Sequence, residues 1–365
     1  MKILYVIESL GRGGAERVMV NTLPELQKRG ITCEVAILFQ RDELAEELEH
    51  QGVKVHRLAL SYKWNVFEAV KKLYLFVKKG RYDIVHAHLF FAHFYVGLSS
   101  LFWRDVKTVV TFHNLAFDVY PADTFLKKAR KKTEALVLKR FDGMTAVSKA
   151  VKQHYETHLH LDAVGVIYNS FPLESFERYK SNHPKPNERF TVLTPGRLVE
   201  EKGHRFLFKA IEILNAKGYD FEFLIVGKGP LAEYCKAQSQ QIRNVSMIPE
   251  ISHSKLMALY NQADLVVIPS IYEAFGLVVG EAMIMSVPVV ATSVYGIIEI
   301  IENGKEGLKV PPGDPAALAE AIEKMYLDEP LRKKLAENAK EKIKQFDSKL
   351  ITSRWKTYYE DLLRG

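Results

Sequence analysis

Glu273 and Glu281 stand eight positions apart in PSIYEAFGLVVGEAMIMSVPVVAT, residues 269–292, around the small apolar turn Ala274-Phe275-Gly276-Leu277. The run before them, ADLVVIPS, is apolar on both faces like a fully buried strand, and Pro269 and Ser270 stop it. After them, residues 278–285 have helix-compatible composition and VPVVAT is a second buried strand. Glu273 is therefore expected in a loop at a strand's carboxyl end, and Glu281 about a turn into a helix. Open α/β sheets bind ligands at such loops. The first amides of a helix, here those of Phe275, Gly276 and Leu277, have no intrahelical acceptor. With the positive end of the helix dipole they suit a phosphate or sugar oxygens. Two glutamates at this spacing can also be surface residues beside a glycine that only starts a helix, so their surroundings decide.

Other loops repeat the theme. Arg197 and Lys202 lie five residues apart in GRLVEEKG, after the strand FTVLTPG, and two fixed cations there suit a diphosphate. The alternative is that they pair with Glu200 and Glu201. Gly227-Lys228-Gly229-Pro230 ends the next strand as a turn. Gly11, Gly13 and Gly14 follow the first strand and let a backbone approach a ligand closely. That turn lacks the last glycine of the dinucleotide fingerprint, and no acid ends the second strand, so it is a weak signal for NAD and equally a plain tight turn. His113 ends the strand TVVTFH, where a side chain can face a cleft and donate to a reacting sugar or serve structure alone. His86 and His88 share one strand face without an identifiable third metal ligand, which favours core packing or cleft contact. No Asp-x-Asp and no Gly-x-Ser-x-Gly occurs.

These loops need a frame, and the chain supplies it twice. Its 365 residues, 47% of them hydrophobic, suffice for two domains with full cores. The expected fold class is α/β, with two Rossmann-like doubly wound lobes facing across a cleft. Strand and helix patterns alternate over residues 1–170, break in a Pro-containing linker at 171–188, and resume over 189–345. A closing helix over residues 330–363 is interrupted near Phe346-Asp347-Ser348, which leaves 346–365 to pack back on the first lobe. No run of about 18 apolar residues occurs, MKILYVIES leads straight into a strand, and Cys33 and Cys235 are isolated. A cytoplasmic protein is expected.

The net charge of +7 is concentrated. Within an expected helix at 122–141, Phe125, Ala129, Thr133 and Leu136 recur at helical spacing, with lysines and arginines over the rest. Residues 61–81, with Trp64, Phe67, Tyr74 and Phe76, have the same character. Each segment is either an ordinary helix packed on a sheet or an amphipathic helix for an anionic membrane. Two in one lobe favour the membrane, with a membrane-associated acceptor. Nucleic acid is disfavoured, because the aromatics occupy helix faces rather than a stacking platform.

With GRGGAERVMVNT, VVTFHN, AVSKAV, VIYNSF, PGRLVEEKG, EAFGLVVGEAM and YGIIEIIENGKEGLKVPPGD in order, the chain resembles GT-B glycosyltransferases of family 4 nearly end to end. The resemblance implies roles. Arg197 and Lys202 hold the donor diphosphate, while Glu273 contacts donor-sugar hydroxyls beside the amides of Phe275, Gly276 and Leu277. Glu281 binds the ribose, His113 lies beside the transferred sugar, and Gly13 and Gly14 close on donor and acceptor. It implies retention of anomeric configuration, a nucleotide-diphosphate sugar (a UDP-sugar foremost) as substrate, and no cofactor or metal. It also implies a lipid- or polyprenyl-linked glycan acceptor reached through the first lobe, with peripheral contact to the inner face of the plasma membrane. Three positions depart from the family: Ser170, Ser286 and Tyr295 stand where it usually has glycine. The rivals are a nucleotide-sugar epimerase on the same fold, a dehydrogenase, and a non-catalytic sugar- or nucleotide-binding module.

Overall fold

The computed structural model describes residues 1–119, 124–180 and 189–365. The chain forms two compact units, one of Met1–Pro172 with Phe346–Gly365 and one of Leu173–Gln345.

The first unit is built on a seven-stranded sheet: β1 (Lys2–Ile7), β2 (Thr32–Ile37), β3 (Lys54–Arg57), β4 (Ile84–His88), β5 (Lys107–Phe112), β6 (Gly143–Ala146) and β7 (Gly165–Val166). Its order is β3-β2-β1-β4-β5-β6-β7, and every pairing is parallel. The second unit holds β8 (Thr191–Pro195), β9 (Glu222–Val226), β10 (Val245–Ile248), β11 (Leu265–Ile268), β12 (Val289–Thr292) and β13 (Leu308–Val310). They are ordered β10-β9-β8-β11-β12-β13, again all parallel. Parallel strands covered on both faces must be apolar throughout, and this makes VVIPS and FEFLIVG legible as strands. Each sheet reverses its winding beside its first strand, between β1 and β4 and between β8 and β11, where doubly wound sheets bind ligands. The Gly13 loop follows β1 and the Arg197 loop follows β8; the Glu273 loop follows β11.

The closing segment is two helices, Glu329–Lys342 and Ser348–Arg364, joined by a 3-10 turn at Ile343–Phe346. The second belongs to the first unit, where Ile351, Trp355 and Tyr359 enter the same core as Ile3, Tyr5 and Val35. Ser348 N donates to Phe171 O at 2.8 Å, and Phe171 N to Phe346 O at 2.9 Å, which ties the entry of this helix to the end of the first stretch of chain.

Two expectations need correction. The 171–188 stretch is not wholly irregular: Leu173–Glu177 is a short helix with Phe176 buried, while residues 181–188 lie outside the described residues. Five residues are too few to show a period. The helix expected over 122–141 spans Phe125–Leu138, residues 122 and 123 being outside the described set. Its apolar stripe does not pack on the sheet: Phe125 is 84% and Leu136 69% exposed, with Ala129 and Thr133 also exposed. Periodicity locates a stripe but does not say which side the protein covers.

Candidate functional site

In the second unit, loops at the carboxyl edge of the sheet are locked together by their backbones. Ile271 N donates to Glu201 O at 2.8 Å, Leu198 N to Lys228 O at 2.9 Å, and Gly296 N to Glu273 O at 3.0 Å. Several contacts there require glycine, two of them against the stretch 269–274. A Cβ on Gly203, whose φ is +68°, would lie 1.9 Å from the Pro269 carbonyl oxygen, and one on Gly296 would lie 2.3 Å from that of Ala274.

This frame brings Lys202 to Glu273. Their side chains, about four-fifths buried, form an ion pair, and Ser270 Oγ donates to Glu273 Oε2 at 3.4 Å. The pairing with Glu200 and Glu201 does not form, since Glu200 binds Arg205 at 2.9 Å. Arg197 is exposed, and its guanidinium has no ion-pair partner among the described residues. Gly276, at φ +97°, caps the helix Leu277–Ile284, and Phe275 is buried beneath the turn. Glu281, in that helix, is buried. Tyr260 Oη lies 3.2 Å from Glu281 Oε2 and 3.3 Å from Val278 O, so its single proton serves one at a time. His253 Nε2 lies 3.5 Å from Glu281 Oε1, with its ring edge-on to Phe176 and Tyr179. Burial and the neighbouring carboxylate push the Tyr260 hydroxyl well above its ordinary pKa.

In the first unit, Gly13 caps the helix Gly14–Lys28. A Cβ there would lie 2.3 Å from Glu16 Oε2, so glycine leaves room for that buried carboxyl to fold over the helix start. His113 Nε2 lies 2.7 Å from His88 Nδ1, and burial holds the His113 imidazole down at about 4. It is therefore neutral at pH 7, and one proton is shared along that hydrogen bond. His86 is fully engaged, by Tyr359 Oη at 2.8 Å and Thr111 Oγ1 at 2.6 Å, which makes it a core histidine. His113 also borders a cavity of about 220 Å³ whose wall includes Phe117, Arg130, Lys131, Glu134 and Tyr155. Burial raises the Glu134 carboxyl to about 7 against the pull of Arg130.

Asp118, His154 and His158 form the one cluster with metal-ligand spacing among the described residues. Phe117 N donates to His154 Nε2 at 3.1 Å, so Nδ1 carries the proton and points at Asp118 Oδ2, 3.3 Å away. A protonated nitrogen does not ligate a cation, and Lys131 Nζ lies 3.4 Å from His158.

Residues 12–175 match the model of Glycosyltransferase Family 4, and residues 175–342 that of Glycosyl transferases group 1. The chain belongs to glycosyltransferase family 4. It is 31% identical over 205 residues to the capsular polysaccharide biosynthesis glycosyltransferase CapM of Staphylococcus aureus, covering 55% of this chain and 53% of that protein. It is 28% identical over 335 residues to an uncharacterized glycosyltransferase of Methanocaldococcus jannaschii, covering 85% of each. Among solved structures, HepE of Anabaena in complex with UDP-glucose superposes with a TM-score of 0.84 at 23% identity, over 99% of this chain and all of that one. A glycosyltransferase of Rickettsia africae gives 0.81 at 24%, over 100% and 99%. The fold is accordingly GT-B, and the protein is a transferase.

Against the usual family 4 pattern, the three departures have different consequences. Ser286 and Tyr295 sit at φ +59° and +32°, in the left-handed region that glycine prefers, so here side chains occupy a glycine's backbone. The Tyr295 ring stacks on Tyr272 with centroids 5.7 Å apart, over the Glu273 loop. Ser170 is buried, with its hydroxyl 2.9 Å from Thr22 Oγ1. The sequence reading missed Tyr260 and His253, the partners of Glu281. Their spacing of seven, two turns of one helix face, was the available signal.

Proposed function

We propose that the protein transfers a sugar, with retention of anomeric configuration, from a UDP-sugar to a lipid- or polyprenyl-linked glycan acceptor in cell-surface polysaccharide or glycan biosynthesis. The observation that carries this reading is the Lys202–Glu273 ion pair, held by Gly203 and Gly296 beside the amino end of the helix that carries Glu281. On donor binding, Lys202 exchanges Glu273 for the diphosphate, joined by Arg197, and the freed Glu273 carboxylate accepts from a sugar hydroxyl. The amides of Phe275, Gly276 and Leu277 face sugar and phosphate, and Glu281 takes the ribose. The bond from the anomeric carbon to the β-phosphate oxygen breaks while one to the acceptor oxygen forms on the same face. The acceptor's proton passes to the leaving phosphate. Fixed positive charge where the diphosphate develops negative charge is electrostatic preorganisation, and no reorganisation is needed at the moment of transfer. In the first unit, neutral His113 donates to or accepts from a sugar hydroxyl, and Gly13 and Gly14 let the backbone approach a ligand closely.

HepE, solved in complex with UDP-glucose, supports uracil as the base, and the name of CapM supports a polysaccharide product. No helix among the described residues is long and apolar enough to cross a membrane. Exposed Phe67, Phe125 and Leu136 among lysines and arginines support peripheral contact with an anionic one.

A thermal-shift panel of UDP, GDP, ADP, CMP and NAD without added metal tests the donor assignment. UDP at ~100 times its dissociation constant stabilises the fold by about 2.7 kcal/mol. A shift with NAD alone, or with none of the five, refutes it.

A further inference from the structure

The helix Phe125–Leu138 buries Val137 and Leu138 at its carboxyl end and sets a charged face along a cavity. Lys127, Arg130, Lys131 and Glu134 follow one another at i, i+3, i+4 and i+7, a single helix face, and all four line the cavity of about 220 Å³. The apolar stripe of the same helix points away, exposed. The cations are also held in place: the Arg130 guanidinium lies 3.6 Å from the centre of the Phe90 ring and Lys131 Nζ 5.0 Å from that of Phe117. Glu134 is 8% exposed and, among the described residues, makes no hydrogen bond or ion pair. A buried carboxyl without a donor costs free energy, which a bound hydroxyl offsets. The cationic end and the carboxyl end are three to four residues apart, roughly 4.5–6 Å along the helix axis, comparable to a pyranose ring. The aromatic walls, Phe117 and Tyr155, suit the ring's C–H faces.

We propose that this cavity receives the acceptor as a phosphorylated saccharide, with Arg130 and Lys131 on its phosphate and Glu134 accepting from a sugar hydroxyl. The assignment rests on the reading of the protein as a sugar transferase and adds the acceptor's chemical class and Glu134 as a specificity determinant. The phosphate belongs either to a free sugar phosphate or to a lipid-linked one.

Ligand-observed NMR titrations of the full chain with glucose 1-phosphate, with glucose, and with N-acetylglucosamine linked through diphosphate to farnesol test it. Glucose 1-phosphate binds at least tenfold tighter than glucose. Arg130→Ala and Lys131→Gln each weaken it about tenfold or more, and the near-isosteric Glu134→Gln weakens both sugars. All three variants keep the wild-type near-UV circular dichroism, which shows that their own unit folds, and the wild-type thermal shift with UDP, which reports the other unit. Tighter binding of the farnesyl compound than of glucose 1-phosphate assigns a lipid-linked source, and equal binding a soluble one. Equal binding of glucose and glucose 1-phosphate, or binding indifferent to all three substitutions, overturns the proposal. Absence of the UDP shift in the wild type overturns the donor reading instead.

Discussion

At the scale of single residues, Lys202 is committed to Glu273 inside a frame that its removal leaves standing, because the flanking loops are tied by backbone hydrogen bonds and glycine contacts. Lys202→Ala therefore lowers turnover by about 10²–10³, the range for losing one donor to a developing anion, with the fold kept and the melting temperature lowered because Glu273 loses its cation. Turnover within a few-fold of wild type removes Lys202 from the mechanism. Glu134 behaves in the opposite sense. Its folded-state carboxyl titrates at about 7, above the ordinary carboxyl value of 4.5, so the folded chain keeps a proton that the unfolded chain has lost. Stability then falls as pH rises from 4.5 to 7 and stays low above that. Glu134→Gln removes the penalty and stabilises the protein at pH 8 by up to ~3 kcal/mol, with no gain near pH 4. Paired melts at the two pH values check this; equal differences at both mean that Glu134 titrates normally. A residue that weakens the fold while lining a cavity is the kind selected for binding.

At the scale of elements, the helix Phe125–Leu138 presents two chemistries on two sides, and the outer one is testable alone. Phe125→Glu with Leu136→Glu leaves the exposed stripe without its apolar anchors and adds two negative charges. Binding to vesicles containing anionic lipid falls tenfold or more while thermal stability is unchanged; unchanged binding separates the stripe from any membrane role. The same helix shows where sequence reading ends. The buried strands were legible because a parallel strand covered on both faces must be apolar throughout, and the loops Arg197–Gly203 and Glu273–Gly276 followed from where those strands stop. Which side of Phe125–Leu138 the protein covers depends on the neighbouring Phe90, Phe117 and Tyr155, which lie outside the helix. Likewise, the Lys202–Glu273 pair spans 71 residues, and nothing within either loop reveals that Glu200 takes Arg205 instead.

At the scale of the whole molecule, the first unit is discontinuous in sequence, and this sets its stability. The helix Ser348–Arg364 buries Ile351, Trp355 and Tyr359 in that unit's core. Tyr359 Oη adds hydrogen bonds with His86 at 2.8 Å and Tyr5 at 3.1 Å, and Arg29 Nε donates to Thr352 at 2.8 Å. Burying three such side chains contributes roughly 5–8 kcal/mol, comparable to the net stability of a typical domain. The second unit closes its own core between Phe190 and Leu335 without this helix. Removing residues 347–365 therefore unfolds the first unit and spares the second. Calorimetry of the shortened chain shows one remaining cooperative transition of reduced enthalpy, and UDP still raises its midpoint, because the donor loops lie wholly in the second unit. Two transitions at wild-type temperatures place the helix outside the first unit's cooperative core. Loss of the UDP response along with the first unit means that the donor site needs both units to form. The two results separate a helix that stabilises one lobe from a site that both lobes build.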